Sequence, residues 1–441
     1  MNYLIIGNCA TGVNAVEAIR GKDQKGKITV ISDENYPAYC RCLISNYLAG
    51  THQEENLSLR EKDFYKNNRI ELILNEKVES VKPEDKRIVL SANKELKYDK
   101  LLIATGGSPK FLGVEGENKY GVFGFRTLND AKEISKLIPR AKKVLVFGGG
   151  LIGLKAGYAL KQKGMAVEII VKSSRVLSQV IDSDSAEMVG RWLMENGIKI
   201  RTGLAPKKIL GKEEVEGVLL DNEEKVDCQV IIIGKGVRPN MDLVKDSKIQ
   251  THWGIITNQY LQTNVENVYA GGDVAETTDL ITGESTINAL WTAATEQGRI
   301  AGLNMAGEKR EYPGSIAANS IDFFGLPIIS LGYVRVKEKG YEEFVHSQPK
   351  KYQYKKIVLK GNRLVGAIFV GNIENAGVYL ALIRRQVDIS GIKDILLEDW
   401  FDYSKVSELL EQKEGFRETV SLQGEPIRML KEEKYGREKY R

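Results

Sequence analysis

Short apolar runs recur along this chain, each closing on glycine and giving way to residues with helical spacing. Tyr3-Leu4-Ile5-Ile6 is followed by a turn, Gly7 to Gly12, and by a 3.6-residue apolar rhythm over Val13 to Arg20. A second apolar run, Ile28 to Ser32, ends on Asp33-Glu34. The pattern predicts strand, turn, helix and strand. Val144-Leu145-Val146-Phe147 opens the same series again, with the turn Gly148-Gly149-Gly150-Leu151-Ile152-Gly153, a helix Leu154 to Lys163 and a strand Ala166 to Val171. Val230 to Ile233 predicts a further strand. After Pro313 the pattern changes to short strands, Ile328 to Val334, Tyr352 to Leu359 and Leu364 to Val370, with turn signals at Gly325-Leu326-Pro327 and Gly361-Asn362. Helices are expected from Ala376 to Arg385 and around Tyr403 to Leu410.

A strand running into Gly-x-Gly-x-x-Gly and then a helix is the layout of a dinucleotide-binding βαβ unit. The first glycine permits the tight turn, and the third, Gly12 in the opening copy, lets helix and strand pack closely. Backbone N–H groups at the helix start then face a pyrophosphate. Asp33 or Glu34, ending the second strand, is placed to accept hydrogen bonds from a ribose. The middle glycine of the first copy is Cys9, either a small residue beside the phosphates or a sign that this turn binds nothing. The second copy keeps all three glycines.

Each copy also carries a later matching turn: Ile103-Ala104-Thr105-Gly106-Gly107-Ser108-Pro109 and Ile233-Gly234-Lys235-Gly236-Val237-Arg238-Pro239. Two units with the same pair of turns predict duplicated nucleotide-binding domains. Ala270-Gly271-Gly272-Asp273 ends another short strand. Its acid is either a hydrogen-bond acceptor for a polyol or an ordinary N-cap. No acid follows the strand Ala166 to Val171; Lys172-Ser173-Ser174-Arg175 does. Two cations and two hydroxyls suit a ribose 2′-phosphate, which leans the reading towards NADP. The plain alternative is a solvated turn.

Composition narrows the class. The 441 residues point to two or three cores. With 42% hydrophobic and 28% charged residues, wholesale disorder is excluded. A net charge of +5 is mild and does not predict nucleic-acid binding. No apolar stretch is long enough for a bilayer, and the amino terminus lacks a basic region or cleavage site, so a cytoplasmic protein without membrane contact is expected. Four Cys and three His show neither a disulfide framework nor metal-ligand spacing.

The ordered set of turns resembles the pyridine nucleotide–disulfide oxidoreductase superfamily of two-domain flavoproteins, over about residues 1 to 310. The resemblance implies an α/β fold of two Rossmann-like, glutathione-reductase-like domains for FAD and NAD(P), with a carboxyl-terminal α+β interface domain that often supports a homodimer. The expected boundaries are 1–112 and 246–310 for the FAD domain, 113–245 for the NAD(P) domain, 311–410 for the interface domain and 411–441 for a charged tail. It further implies that Gly7, Asn8, Cys9, Ala10, Thr11 and Gly12 cradle the FAD pyrophosphate, with Asp33 or Glu34 on the ribose. Ala104, Thr105 and Gly106 close over the cofactor, and Gly272 and Asp273 hold the ribitol. Trp291, Thr292 and Ala293 start the helix that faces the flavin ring. Gly148, Gly149, Gly150, Leu151, Ile152 and Gly153, with Gly236, hold NAD(P), and Lys172, Ser173 and Arg175 meet its 2′-phosphate.

The dithiol members' Cys-x4-Cys and their terminal His-x4-Glu are absent. Tyr39-Cys40-Arg41-Cys42-Leu43-Ile44-Ser45-Asn46-Tyr47-Leu48-Ala49-Gly50 instead resembles a segment of rubredoxin and ferredoxin reductases, nitrite reductase flavin domains and the FAD-NAD(P) oxidoreductases that accompany carbon monoxide dehydrogenases. Arg41 then becomes a flavin or phosphate contact. The lysine many ferredoxin reductases carry near the flavin falls on Asn46, and the usual glutamate after the second glycine turn is Lys155. Cys42 also lines up with the single reactive Cys of NADH oxidases and coenzyme A-disulfide reductases. Three readings stay open: Cys40 and Cys42 as packing residues, Cys42 as a lone reactive thiol, or the two as a redox pair. The resemblance implies electron transfer between NAD(P)(H) and a small iron–sulfur protein or rubredoxin through FAD. The alternative is a thiol-assisted reductase of coenzyme A disulfide, persulfide or oxygen using Cys42 as its catalytic residue.

Overall fold

A computed structural model describes residues 1–91 and 93–411. Two five-stranded parallel sheets organise the first three quarters of the chain. The first runs in the order Val268–Ala270, Lys100–Ile103, Asn2–Ile6, Lys27–Ile31, Ile70–Ile73. Its edge strand Val268–Ala270 comes from beyond the whole second sheet, so the chain leaves this unit and returns to complete it. The second sheet has the order Lys199–Thr202, Ala166–Val171, Lys143–Phe147, Val230–Ile233, Val122–Phe123.

The apolar runs are continuous because both faces of each sheet are covered. In the opening strand Tyr3 and Ile5 pack with Val13 and Ile19 on one face, while Leu4 and Ile6 meet Val81 and Ile88 on the other. In the matching strand, Val144 and Val146 join one core cluster, and Leu145 and Phe147 another. Each sheet carries a three-stranded antiparallel flap: Val78–Lys82, Arg87–Leu90 and Glu95–Lys97 in the first, Pro206–Leu210, Gly217–Leu220 and Lys225–Asp227 in the second. The duplication therefore extends beyond the glycine turns.

Both turn helices begin three residues earlier than the apolar rhythm predicts. They span Ala10–Lys22 and Leu151–Gln162, because the residues after the middle position of each motif already form the first helical turn. The helix Ala10–Lys22 lies closely on Trp291–Met305, since a Cβ at Gly298 would come within 2.2 Å of the Thr11 carbonyl. The two later matching turns pair with each other. Gly107–Pro109 and Val237–Pro239 form a two-stranded antiparallel ribbon that joins the two units.

The last third folds as a five-stranded antiparallel sheet, in the order Ala318–Phe323, Leu326–Gly332, Arg363–Val370, Gln353–Lys360, Tyr341–Gln348. Helix Ala376–Arg385 covers one face through Tyr379, Leu382 and Ile383. Ile321, Phe323, Ile328 and Ile368 on the other face share a core with Val144, Val146 and Leu154 of the second unit. Trp192 Nε1 donates to the Phe323 carbonyl at 2.8 Å, and Tyr354 Oη to Asp182 Oδ2 at 2.6 Å, across the same seam. The segment expected as one helix around Tyr403 to Leu410 is a short 3-10 turn, Tyr403–Lys405, and a helix Ser407–Glu411. The charged tail expected over 411–441 lies outside the described residues from 412 onwards. Among the described residues no helix is long and apolar enough to cross a membrane.

Candidate active site

The two glycine turns superimpose chemically. Gly7 has φ +123° and a Cβ there would come within 2.2 Å of the Ala104 carbonyl oxygen; Gly148 has φ +125° and the same clash, 2.3 Å, with Gly234. Each turn therefore seats on the later matching turn of its own unit. The helices that follow, of 13 and 12 residues, have no acid in the first turn and no side-chain cap hydrogen bond. Their N-terminal partial charge is left for an anion.

The middle position distinguishes the two. At Gly150 an added Cβ would meet nothing closer than 4.0 Å, so the backbone is open to a ligand there. At the equivalent Cys9 a side chain is present, but its thiol turns back and donates to the Ala104 carbonyl at 3.4 Å. Burial pushes the Cys9 thiol up, which keeps it neutral beside any phosphate. The departure from the glycine rule is accommodated locally. Asn8 is buried and held by Tyr65 Oη, which donates to Asn8 Oδ1 at 2.9 Å, and Thr11 is buried beneath Gly272.

Around the first turn, opposite charges converge. Glu34 faces inward and accepts from Tyr39 Oη at 2.5 Å and from the Arg41 guanidinium, whereas Asp33 is exposed. Of the two acids, only Glu34 joins the cluster. Arg41 also bonds Tyr39 Oη at 3.0 Å and the Arg126 carbonyl at 3.3 Å. Burial works against the Arg41 charge, but Tyr39 and Glu34 outweigh it and hold the guanidinium charged. Asp273 is paired with Arg126, Nη2 to Oδ2 at 2.6 Å, with side chains 18% and 15% exposed. Gly272 N donates to Gln297 Oε1 at 2.7 Å, which ties the Asp273 turn to the helix Trp291–Met305. Trp291 is half-buried, Thr292 exposed and Ala293 buried at that helix start, where no side chain caps the backbone. Ala104, Thr105 and Gly106 sit against both units. Thr105 Oγ1 donates to the Asn240 carbonyl at 2.9 Å, and Asn240 Nδ2 to Thr105 O at 3.0 Å.

Arg126, Gln297 and Asn240 were not singled out by the sequence. One signal for Arg126 was present: it precedes Thr127, whose side chain and that of Asp130 form a capping box on helix Leu128–Leu137. Asp130 Oδ2 accepts the Arg126 backbone N–H at 2.8 Å, so the cap fixes the arginine's direction.

Around the second turn, the segment after strand Ala166–Val171 folds back on the glycines. Leu177 N donates to Gly149 O at 2.7 Å. Ser173 Oγ donates to Arg175 O at 2.9 Å, while Arg175 Nε is buried with no hydrogen-bond partner among the described residues, and Lys172 is exposed. A buried donor without a partner in a turn that closes on Gly149 fits an anionic ligand group. Leu151 and Ile152 are half-buried in the first turn of their helix, and Gly236 is exposed with open space around it. Glu168, the one acid in the strand, is occupied elsewhere by Lys143 at 2.7 Å and Lys199 at 3.2 Å.

At the junction of the three units stand Cys40, Cys42 and Lys155. The sequence made Cys42 the candidate for a lone reactive thiol. Cys40 is instead the residue that caps the 3-10 turn Arg41–Leu43, and hydrogen bonding brings the Cys40 thiol down while that of Cys42 is pushed up. Burial lowers the Lys155 ammonium from its ordinary value, opposed by Asp322 and Cys42. Cys228 is a core residue, its thiol pushed up by burial to about 12.

Comparison with known proteins gives this geometry a family. A profile described as pyridine nucleotide-disulphide oxidoreductase matches residues 1–298. The chain belongs to that family. A second profile, the rubredoxin NAD+ reductase C-terminal domain, matches residues 318–387. The chain is 36% identical over 323 residues to an NADH oxidase of Methanocaldococcus jannaschii, covering 71% of this chain and 72% of that one. It is 30% identical over 429 residues to the nitrite reductase [NAD(P)H] of Bacillus subtilis, covering 96% of this chain and 51% of that enzyme, so it spans about half the relative's length. Among solved structures, an NAD-dependent persulfide reductase from A. fulgidus aligns with a TM-score of 0.83 at 27% identity, over 89% of this chain and 79% of that one. Membership implies FAD and NAD(P)H binding and makes the protein an NAD(P)H oxidoreductase. The open backbone at Gly150, the two uncapped helix starts and the partnerless Arg175 Nε fit those two cofactors.

Proposed function

We propose that the protein moves electrons between NADP(H) and a small one-electron carrier, an iron–sulfur protein or a rubredoxin, through FAD held by the first unit. The observation that carries this reading is the pair of equivalent, uncapped glycine turns in two units that meet at one junction. Bound there, the isoalloxazine would accept two electrons from the nicotinamide and release them singly. The chain's own residues hold and orient. Gly7 to Gly12 bind the FAD pyrophosphate, Glu34 the ribose, and Asp273 with Arg126 the ribitol and nearby phosphate. Arg41 contacts phosphate, and the start of helix Trp291–Met305 faces the ring. Gly148 to Gly153 seat the second nucleotide, with Lys172, Ser173 and Arg175 about its 2′-phosphate. No side chain is asked to act as acid, base or nucleophile on this route. The match of the last sheet to a rubredoxin reductase domain supports a rubredoxin-type or iron–sulfur partner.

The nucleotide assignment has its own test. NADPH is expected to give the higher kcat/KM for reduction of a ferredoxin or rubredoxin. The double change Lys172→Glu with Arg175→Gln is expected to reverse that preference by about 100-fold, which at about 1.4 kcal/mol per tenfold is about 3 kcal/mol shared between two charge contacts. A strong NADH preference in the unaltered protein, or a ratio the double change leaves alone, contradicts the assignment. Failure to reduce either carrier with both nucleotides contradicts the carrier class.

A further inference from the structure

The segment 172–182, between strand Ala166–Val171 and helix Ser183–Glu195, carries the residues that meet a ribose 2′-phosphate on the proposed reading. Its far end is held from outside the nucleotide-side unit. Ser330, buried on the last sheet's strand Leu326–Gly332, donates through Oγ to the Val180 carbonyl at 2.6 Å. Arg335 Nη1, just beyond that strand, donates to the Ser178 carbonyl at 3.1 Å. Tyr354 Oη and Lys356 Nζ, from strand Gln353–Lys360, meet Asp182 Oδ2 at 2.6 Å and 3.2 Å. All of these contacts come from the carboxyl-terminal unit.

Between its two ends the segment is strained and pressed onto the glycine turn. Leu177 is buried with φ +49°, a left-handed backbone that a residue other than glycine keeps only when its surroundings impose it. Several hydrogen bonds do so. Leu177 N donates to Gly149 O at 2.7 Å, and Leu177 O accepts from Val180 N at 2.7 Å and Ile181 N at 3.1 Å. A Cβ on Gly149 would come within 3.2 Å of Val176 Cα, so the segment lies directly on that turn. Arg175, two residues before Leu177, takes its place from the same bend.

We propose that Ser330 and Arg335 are positioning residues for nucleotide selection: they fix the bend at Leu177 and thereby aim Lys172, Ser173 and Arg175 at the 2′-phosphate. Selection of this kind rests on the reading that the second glycine turn binds NADP(H), and it brings the carboxyl-terminal unit into that choice. The turn itself needs no such help. Gly148 to Gly153 are fixed by their own strand and helix and by Gly234, so binding of a 5′-phosphate stays with the turn. Without the two donors the Ser178 and Val180 carbonyls lose these bonds, the strained Leu177 relaxes, and the cations no longer converge. Tyr354 and Lys356 still hold Asp182, and with it the cap of helix Ser183–Glu195, when either donor is removed. The segment then loosens while the seam between the units stays closed.

The test uses the full-length, flavin-loaded protein and two fragments titrated calorimetrically, adenosine 2′,5′-bisphosphate and adenosine 5′-monophosphate. The unaltered protein is expected to bind the bisphosphate more tightly. Ser330→Ala and Arg335→Ala are each expected to weaken bisphosphate binding about tenfold and to change monophosphate binding by less than about threefold. Arg335→Lys, which keeps a cationic donor, is expected to restore most of the preference. A preference unchanged in both alanine variants would overturn the proposal, as would equal losses for the two fragments, the mark of a unit loosened throughout. An unaltered protein that binds both fragments alike is a separate result; it removes the NADP(H) reading, and the proposal with it.

Discussion

Gly150→Val is expected to give a folded, yellow protein that NADPH reduces at least about 100-fold more slowly than the unaltered one. The effect is steric and local. Gly150 caps its helix with φ −81° and ψ 178°, an extended conformation valine adopts readily. An added Cβ meets no atom closer than 4.0 Å, so the fold has room for the side chain and loses no more than about 1 kcal/mol of helix capping. On the proposed reading the nucleotide's pyrophosphate approaches the backbone through the same space, and a branched side chain would fill it. A loss of about 100-fold corresponds to about 3 kcal/mol. Stopped-flow bleaching with NADPH reads it, and an unchanged melting curve shows that the fold survives. Bleaching at the original rate would take the nucleotide away from this turn.

Gly7→Val is expected to fail in the opposite way, by unfolding the amino-terminal unit and leaving little flavin in the purified protein. Here the backbone has φ +123°, where valine is strained, and the new Cβ would lie 2.2 Å from the Ala104 carbonyl oxygen. Neither atom can yield, because both belong to paired parallel strands or their immediate turns: Gly7 N donates to Ile31 O at 2.8 Å and Ala104 N to Ile6 O at 2.8 Å. Overpacking and dihedral strain together are expected to cost about 4 kcal/mol or more, a large share of a domain's stability. Urea unfolding followed by circular dichroism, with flavin content measured by absorbance, checks it. A variant with the original midpoint and a full complement of flavin would mean that the turn does not hold its position against the Ala104 turn.

The contrast between these two glycines indicates what the sequence could and could not convey. The duplicated units were legible because the constraint is local: a strand, a turn that only glycine completes, and a helix, each within a dozen residues. The strand Ala166–Val171 and the helix Ala376–Arg385 were read with their observed bounds. The outer strands of the last sheet, Ala318–Phe323 and Tyr341–Gln348, escaped because they lie at its two edges and are mostly half-buried or exposed. Tyr341–Gln348 lacks the apolar alternation of a covered strand, in Ala318–Phe323 that alternation is confined to Ile321 and Phe323, and pairing with their neighbours is what makes both of them strands. At the site, the choice between Asp33 and Glu34 depended on a contact with Arg41 and Tyr39 that only the folded chain creates. Arg126 was hidden for the same reason, since its partner Asp273 lies 147 residues away in the chain. Cys9 looked like a defect in the motif; the Ala104 carbonyl that accepts its thiol explains why the turn keeps its shape.

The most direct measurement is an anaerobic titration of the purified, cofactor-replete protein with NADPH, followed by its visible spectrum. The protein is expected to carry the absorption of bound FAD and to bleach as NADPH is added. A protein that binds no flavin, or whose flavin spectrum stays unchanged in excess NADPH and NADH, would contradict it.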